Sequence, residues 1–175
     1  MIWIKCKTKK VINIGNMKVN VEEREKLGKE LFKSGYGCAQ SVAAAFADVY
    51  GIDRDLMLRI ASSFGGGFGR MRLTCGTVSG MGILAGLENG SVEARDSAAK
   101  GKNYELVQSL AGKFKAEAGS IICAEMLGLK PMAPTPATPE ARTPEYYRKR
   151  PCVELVGLAC RIYAEHLNEM DAANE

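Results

Sequence analysis

The stretch Phe64-Gly65-Gly66-Gly67-Phe68-Gly69-Arg70-Met71-Arg72-Leu73-Thr74-Cys75-Gly76-Thr77-Val78-Ser79-Gly80 runs on through Met81 to Gly90. A glycine loop feeds a cysteine, and the cysteine opens an apolar segment of small residues. Cys75, Ser79, Gly82 and Gly86 fall on one face of a helix there. That face is nearly bare of side chains, so another backbone, a cofactor or a second subunit can approach it. Several glycines within one helix cost about 1 kcal/mol each relative to alanine. The spacing therefore predicts close packing around a site as the compensation, with a homodimer contact as an alternative use of the face.

Outward from this stretch, three further cysteines take similar places. Cys38 opens a predicted helix to Tyr50, on which Cys38, Val42, Ala45 and Val49 share the apolar stripe. Cys123 lies in a short predicted helix, Ile121 to Leu127, behind Gly119 and Ser120. Cys152 follows Pro151, a residue favoured in the first turn, and Cys152, Val156, Ala159 and Tyr163 repeat the apolar spacing. A helix N-terminus presents free N–H groups and the positive end of the dipole. Both are expected to lower these thiols below roughly 8.5, toward the thiolate that ligates metal or attacks disulfides.

The remaining helices carry conventional signals. Asn20 with Glu23 marks the start of a first helix whose apolar face is Leu27, Leu31 and Phe32, and which ends at Ser34-Gly35. Asp53 caps a helix with Leu56, Met57, Ile60, Ala61 and Phe64 on its face. A long helix from Ser91 to Ala118 has a charged first half, then an apolar row of Val107, Leu110, Ala111 and Phe114. Lys130 to Arg150 holds five prolines and reads as an extended connector, with polyproline docking a weaker reading. No strand alternation occurs after the N-terminal tail. The fold class is therefore all-α: one helical bundle of six to seven helices over residues 19–171, behind a basic extension at 1–18.

Composition narrows the function. The chain has 175 residues and a net charge of +4, but five lysines and no acids lie in Met1 to Asn20. The remainder is close to neutral and shows no nucleic-acid footprint. No apolar run reaches the roughly 20 residues a membrane span needs. A signal-peptide pattern is absent, so a cytoplasmic location is expected, with Met17 an alternative start. In a reducing compartment six cysteines favour metal ligation or thiol redox chemistry over structural disulfides, and core packing is the plain alternative. Cys6 and Cys160 are given no role. His166, the one histidine, reads as a surface residue.

Cys38, Cys75, Cys123 and Cys152 are separated by 37, 48 and 29 residues, with no Cys-x-x-Cys pair. Any shared site must be assembled by tertiary folding. Four thiolates are a common ligand set for an iron–sulfur cluster, which is the leading expectation. Dithiol–disulfide exchange by the same residues comes next, and third a zinc-stabilised or purely structural helical module that binds a partner. Gly66, Gly67, Gly69, Arg70 and Gly76 are the candidates to contact a cofactor, through loop N–H groups or positive charge beside Cys75. A phosphate cradle is a weaker reading, because the loop lacks the Lys-Ser/Thr ending of a P-loop.

Gly35-Tyr36-Gly37-Cys38-Ala39-Gln40-Ser41-Val42, then Gly65 to Arg70, then Cys75-Gly76 with Gly80, then two lone cysteines, resembles the C_GCAxxG_C_C family of redox-active proteins. The resemblance covers about Val21 to Leu167. It implies that the four shared cysteines are Cys38, Cys75, Cys123 and Cys152, with an unknown redox partner. Thr77 departs from it, since alanine is usual there. A related domain in split-Soret cytochromes carries an iron–sulfur centre, but their haem motif Cys-x-x-Cys-His is missing here, so haem is not implied.

Overall fold

The computed structural model describes residues 18–130 and 135–173. Cys6, Met17, Pro131 and Pro134 lie outside the described residues. Eight helices occur among those residues, with no strand: α1 (Val21–Lys33), α2 (Cys38–Ala44), α3 (Arg54–Ala61), α4 (Gly76–Asn89), α5 (Ser97–Ala118), α6 (Cys123–Met126), α7 (Pro144–Lys149) and α8 (Cys152–Ala173). The all-α expectation holds. No described helix is long and apolar enough to cross a membrane.

The boundaries follow side-chain caps. Asn20 accepts from Glu23 N–H at 3.1 Å and Asp53 from Leu56 N–H at 2.9 Å. The long helix starts later than the spacing suggested. Asp96 accepts from Ala99 N–H at 2.9 Å and sets the start of α5 at Ser97 rather than Ser91. Gly119 ends α5 with a left-handed φ of 85°. α2 is shorter than expected and closes at Ala44, yet the turns after it stay in the core, with Phe46, Val49 and Tyr50 buried. The proline connector contains α7, which has Thr143 as cap and Pro144 at its first position.

α1 lies along α8, and α2 is packed against α3, α4 and α8. Phe32, Phe46, Phe114, Met57 and Tyr163 are the largest side chains fully enclosed between them. Cys160 is also fully buried, as ordinary core. Two faces read from spacing are rotated. Leu56 and Ile60 on α3 are exposed, and the buried side is Met57, Leu58 and Ala61. On α1 Leu27 is exposed, whereas Gly28 is buried against Cys160 and Val156 of α8. His166 is a further correction. Its Nε2 lies 3.0 Å from Glu88 Oε1, its side chain is 14% exposed, and Glu88 also accepts from the Tyr163 hydroxyl at 2.9 Å. An acid buried this deeply requires such partners, and His166 turns inward as one of them.

The bare face of α4 is not where the close contact lies. A β-carbon at Gly82 or Gly86 would meet nothing within 4 Å. One at Gly80 would stand 2.8 Å from Val42 Cβ and 3.1 Å from the Ala39 carbonyl oxygen, both on α2. One at Gly76 would stand 2.9 Å from the Phe64 carbonyl oxygen and 3.1 Å from Cys38 Cβ. α4 therefore meets α2 through Gly76 and Gly80, one turn apart. Gly80→Ala is expected to cost about 1–3 kcal/mol by overpacking, and Gly82→Ala to gain up to about 1 kcal/mol by helix propensity. Chemical denaturation of the two variants checks this. Equal effects would contradict the assignment of the contact face.

Candidate functional site

Each of the four cysteines stands at a helix start. Cys38 is the first residue of α2, Cys75 the N-cap of α4, Cys123 the first residue of α6 and Cys152 the first of α8. Four different local devices fix them. Gln40 accepts from Gly37 N–H at 2.8 Å and donates to the Leu58 carbonyl at 3.0 Å, which holds the entry to α2. Cys75 N–H donates to the Ile121 carbonyl at 2.7 Å, and Cys123 N–H to the Leu73 carbonyl at 2.6 Å. These two bonds stitch the start of α4 to the start of α6. Cys152 follows Pro151, directly behind Arg150.

The glycine loop supports this stitching. Gly66, Gly67 and Gly69 have φ of 63°, 70° and 53°, a region that L side chains rarely adopt. A β-carbon at Gly67 would stand 2.6 Å from Cys123 Cβ and 2.9 Å from Leu73 N, so the loop touches Cys123 directly. The N–H groups of Phe68, Gly69, Arg70, Met71, Arg72 and Leu73 all donate to carbonyls of residues 63–68. They are spent on the turn and are not aimed at a ligand. Arg70 and Arg72 also have left-handed φ, at 69° and 63°.

Cys38, Cys123 and Cys152 border one pocket of about 450 Å³, together with Gly65, Gly66, Gly69 and four arginines. Cys75 is buried behind them, and a charge on it is felt at Cys38. Three of the four thiols thus share one pocket, and the fourth is near enough for its charge to act on Cys38. Their environments differ. Cys38 and Cys152 are both partly buried at the pocket wall, and each acts electrostatically on the other. Cys75 Sγ lies 3.1 Å from the Thr77 hydroxyl, which gives the fully buried Thr77 its polar partner. Arg72 Nη1 lies 3.8 Å from Cys123 Sγ. Arg72 therefore stands beside Cys123 rather than Cys75, and Arg70 reaches the Pro136 carbonyl at 2.7 Å through Nε.

The expectation of four lowered thiols is corrected. The neighbouring Cys152 thiol, then burial, pushes Cys38 well above the ordinary thiol range. Burial also pushes Cys75 and Cys123 up, with Thr77 and Arg72 respectively offsetting part of the effect. Among the described cysteines only Cys152 is lowered, to about 7, first by the neighbouring Cys38 thiol and then by the guanidinium charges of Arg150, Arg142 and Arg72. At Cys75 and Cys123 desolvation outweighs the helix N-terminus together with the single polar neighbour that each thiol has.

Among the described residues no three Cys, His, Asp or Glu stand together as a metal-ligand group. The donor type suits an iron–sulfur centre, but the four sulfurs as placed do not form its ligand set. Cys75 lies against the Thr77 hydroxyl and Cys123 against Arg72, while Cys38 and Cys152 border the pocket.

Three site residues were missed by sequence reasoning: Arg142, Tyr146 and Arg150. They lie in the segment read as a proline connector, where Thr143-Pro144 was a legible helix start. Arg142 lies 4.3 Å from the centre of the Phe32 ring and 4.9 Å from that of Tyr146, and Arg150 lies 4.7 Å from Tyr146.

Comparison with curated proteins and with solved structures gave no match. A family model matches residues 36–166, from just before Cys38 to beyond Cys152, with the description "Putative redox-active protein (C_GCAxxG_C_C)". With three quarters of its length in that match, the chain belongs to the C_GCAxxG_C_C family.

Proposed function

We propose that this protein is a dithiol–disulfide oxidoreductase in which Cys152 is the nucleophile and Cys38 the resolving thiol. The observation that carries this reading is that Cys38 and Cys152, both partly buried, border the same pocket, with the Cys152 thiol lowered and the Cys38 thiol raised. A dithiol that exchanges needs this division, since one sulfur must be ionised near neutral pH while the other keeps its proton until called upon.

The reaction balances as follows. The Cys152 thiolate attacks one sulfur of a substrate disulfide, forms a mixed disulfide and expels the other half as a thiolate. Cys38 then attacks Cys152 Sγ, and the second half leaves as a thiol carrying the proton that Cys38 gives up. The substrate gains two electrons, and the protein is left with a Cys38–Cys152 disulfide. A dithiol donor returns it by the same steps reversed. The Cys38 thiol, and after it the positive charges of Arg150, Arg142 and Arg72, favour the Cys152 thiolate.

A second reading retains one support. Cys75 and Cys123 adjoin the pair, so the number of thiols at the site equals that of a cluster ligand set. It requires the sulfurs to close together beyond their present positions. Iron and sulfide content of protein purified without air tests it, and near-stoichiometric amounts of both would favour it over the dithiol reading. Zinc ranks third on the same donors.

Two outcomes are expected. In isotope-coded iodoacetamide mapping, Cys152 alkylates with a midpoint near pH 7, ahead of every other described thiol. Cys38→Ala moves that midpoint upward, because the largest stabilising contact is lost. Parallel alkylation of all thiols with midpoints at or above roughly 8.5 would contradict the assignment. In disulfide reduction assays, Cys152→Ser lowers the rate by more than about a hundredfold, as loss of a nucleophile does. Cys38→Ser traps a mixed disulfide on Cys152, visible as a mass adduct, while Cys160→Ser leaves the rate unchanged. A full rate in Cys152→Ser would remove the proposal.

A further inference from the structure

The pocket in front of the thiol pair carries more positive charge than holding one thiolate requires. Arg70, Arg72, Arg142 and Arg150 border it, against a single carboxylate, Glu140. Glu140 pairs with Arg150 at 2.6 Å. Among the described residues no carboxylate pairs with the other three arginines. Arg142 is held by the carbonyls of Phe32 and Tyr36 and by aromatic faces, which fix its position without cancelling its charge. Among the described residues Arg70 donates to the Pro136 carbonyl, at 2.7 Å. Arg72 has a buried Nε with no hydrogen-bond partner.

Two of these cations are held by strained backbone. Arg70 and Arg72 have left-handed φ of 69° and 63°, a conformation that side-chain-bearing residues rarely adopt and that the surrounding loop must impose. An unpaired donor on a half-buried cation is costly as well, unless something fills the site. Guanidinium forks match carboxylates in a planar, two-bond geometry. At about 450 Å³ the pocket lies within the range of small-molecule sites rather than of a protein face.

We infer that the disulfide taken by this pocket is a small anionic one, whose carboxylates meet Arg70 and Arg72 while one of its sulfurs meets Cys152. This rests on the dithiol reading and specifies its substrate class. The guanidiniums draw the anion in and orient it. The redox step remains the two-electron exchange set out above, with an anionic thiol leaving. The same charges disfavour cationic disulfides.

The test uses the full reduced chain and three small probes: dithiodipropionate with two carboxylates, neutral hydroxyethyl disulfide, and cystamine with two ammonium groups. The rate of formation of the Cys38–Cys152 disulfide with each probe is divided by that probe's own rate with mercaptoethanol, which removes intrinsic reactivity. The normalised rate of the dianion is expected to exceed that of the neutral probe by about tenfold or more at low ionic strength, with cystamine slowest. The ratio should shrink several-fold in about 0.5 M salt, where the screening length is only a few ångströms. Arg70→Gln should lower the same ratio. Arg70 is preferred over Arg150 for this change because Arg150 also acts on the Cys152 thiol. The salt series needs no variant, so a misfolded Arg70→Gln does not blunt the test. Equal normalised rates at low salt, or cystamine fastest, overturn the charge preference alone. If none of the probes oxidises the pair, the dithiol reading falls and takes this inference with it.

Discussion

α2 and α4 meet backbone to backbone, because at Gly76 and Gly80 no β-carbon fits between them. Through this contact Cys38, at the start of α2, comes to lie against Gly76, the residue next to Cys75. A side chain at either glycine would push the helices apart and carry the two thiols with them. The second half of the site hangs on the same helix start. The bonds from Cys75 to Ile121 and from Cys123 to Leu73 tie α6 to the strained loop that precedes α4. The pocket is thus built outward from a glycine contact and closed on the far side by α7 and the start of α8.

Electrostatics then divides four similar residues into unlike ones. All four thiols lose water, and burial alone would raise each of them. Cys152 escapes because three guanidiniums and the Cys38 thiol face it. Cys75 and Cys123 have one polar neighbour each, and that is too little to reverse the cost of burial. The helix starts determine where the sulfurs are. The Cys38 thiol, and after it the arginines, favour ionisation of Cys152 over the other three sulfurs.

The helix-start positions of the cysteines were legible in the sequence, because caps and punctuation are local: Asn20, Asp53, Gly119 and Pro151 each act on the next few residues. Which face of a helix is buried was less legible. Leu56 and Ile60 have helical spacing, yet a short helix leaves several apolar faces open, and tertiary packing chose Met57 and Leu58. On α4 the glycines at 82 and 86 looked like the contact, but 76 and 80 make it, since periodicity reports a face and not its neighbour. His166 among Glu165 and Asn168 read as surface, because Glu88 lies 78 residues away in sequence. Arg142, Tyr146 and Arg150 were hidden in a proline-rich segment whose composition suggested a connector.

The central claim is that Cys38 and Cys152 form a redox couple. It is tested most directly by equilibrating the protein across a series of dithiothreitol redox buffers, quenching in acid, and mapping free and paired thiols by mass. The account predicts a single two-electron transition in which two thiols are lost together and are found joined as Cys38–Cys152. All thiols remaining free across the series, or a transition that pairs other cysteines while Cys38 and Cys152 stay reduced, would contradict it.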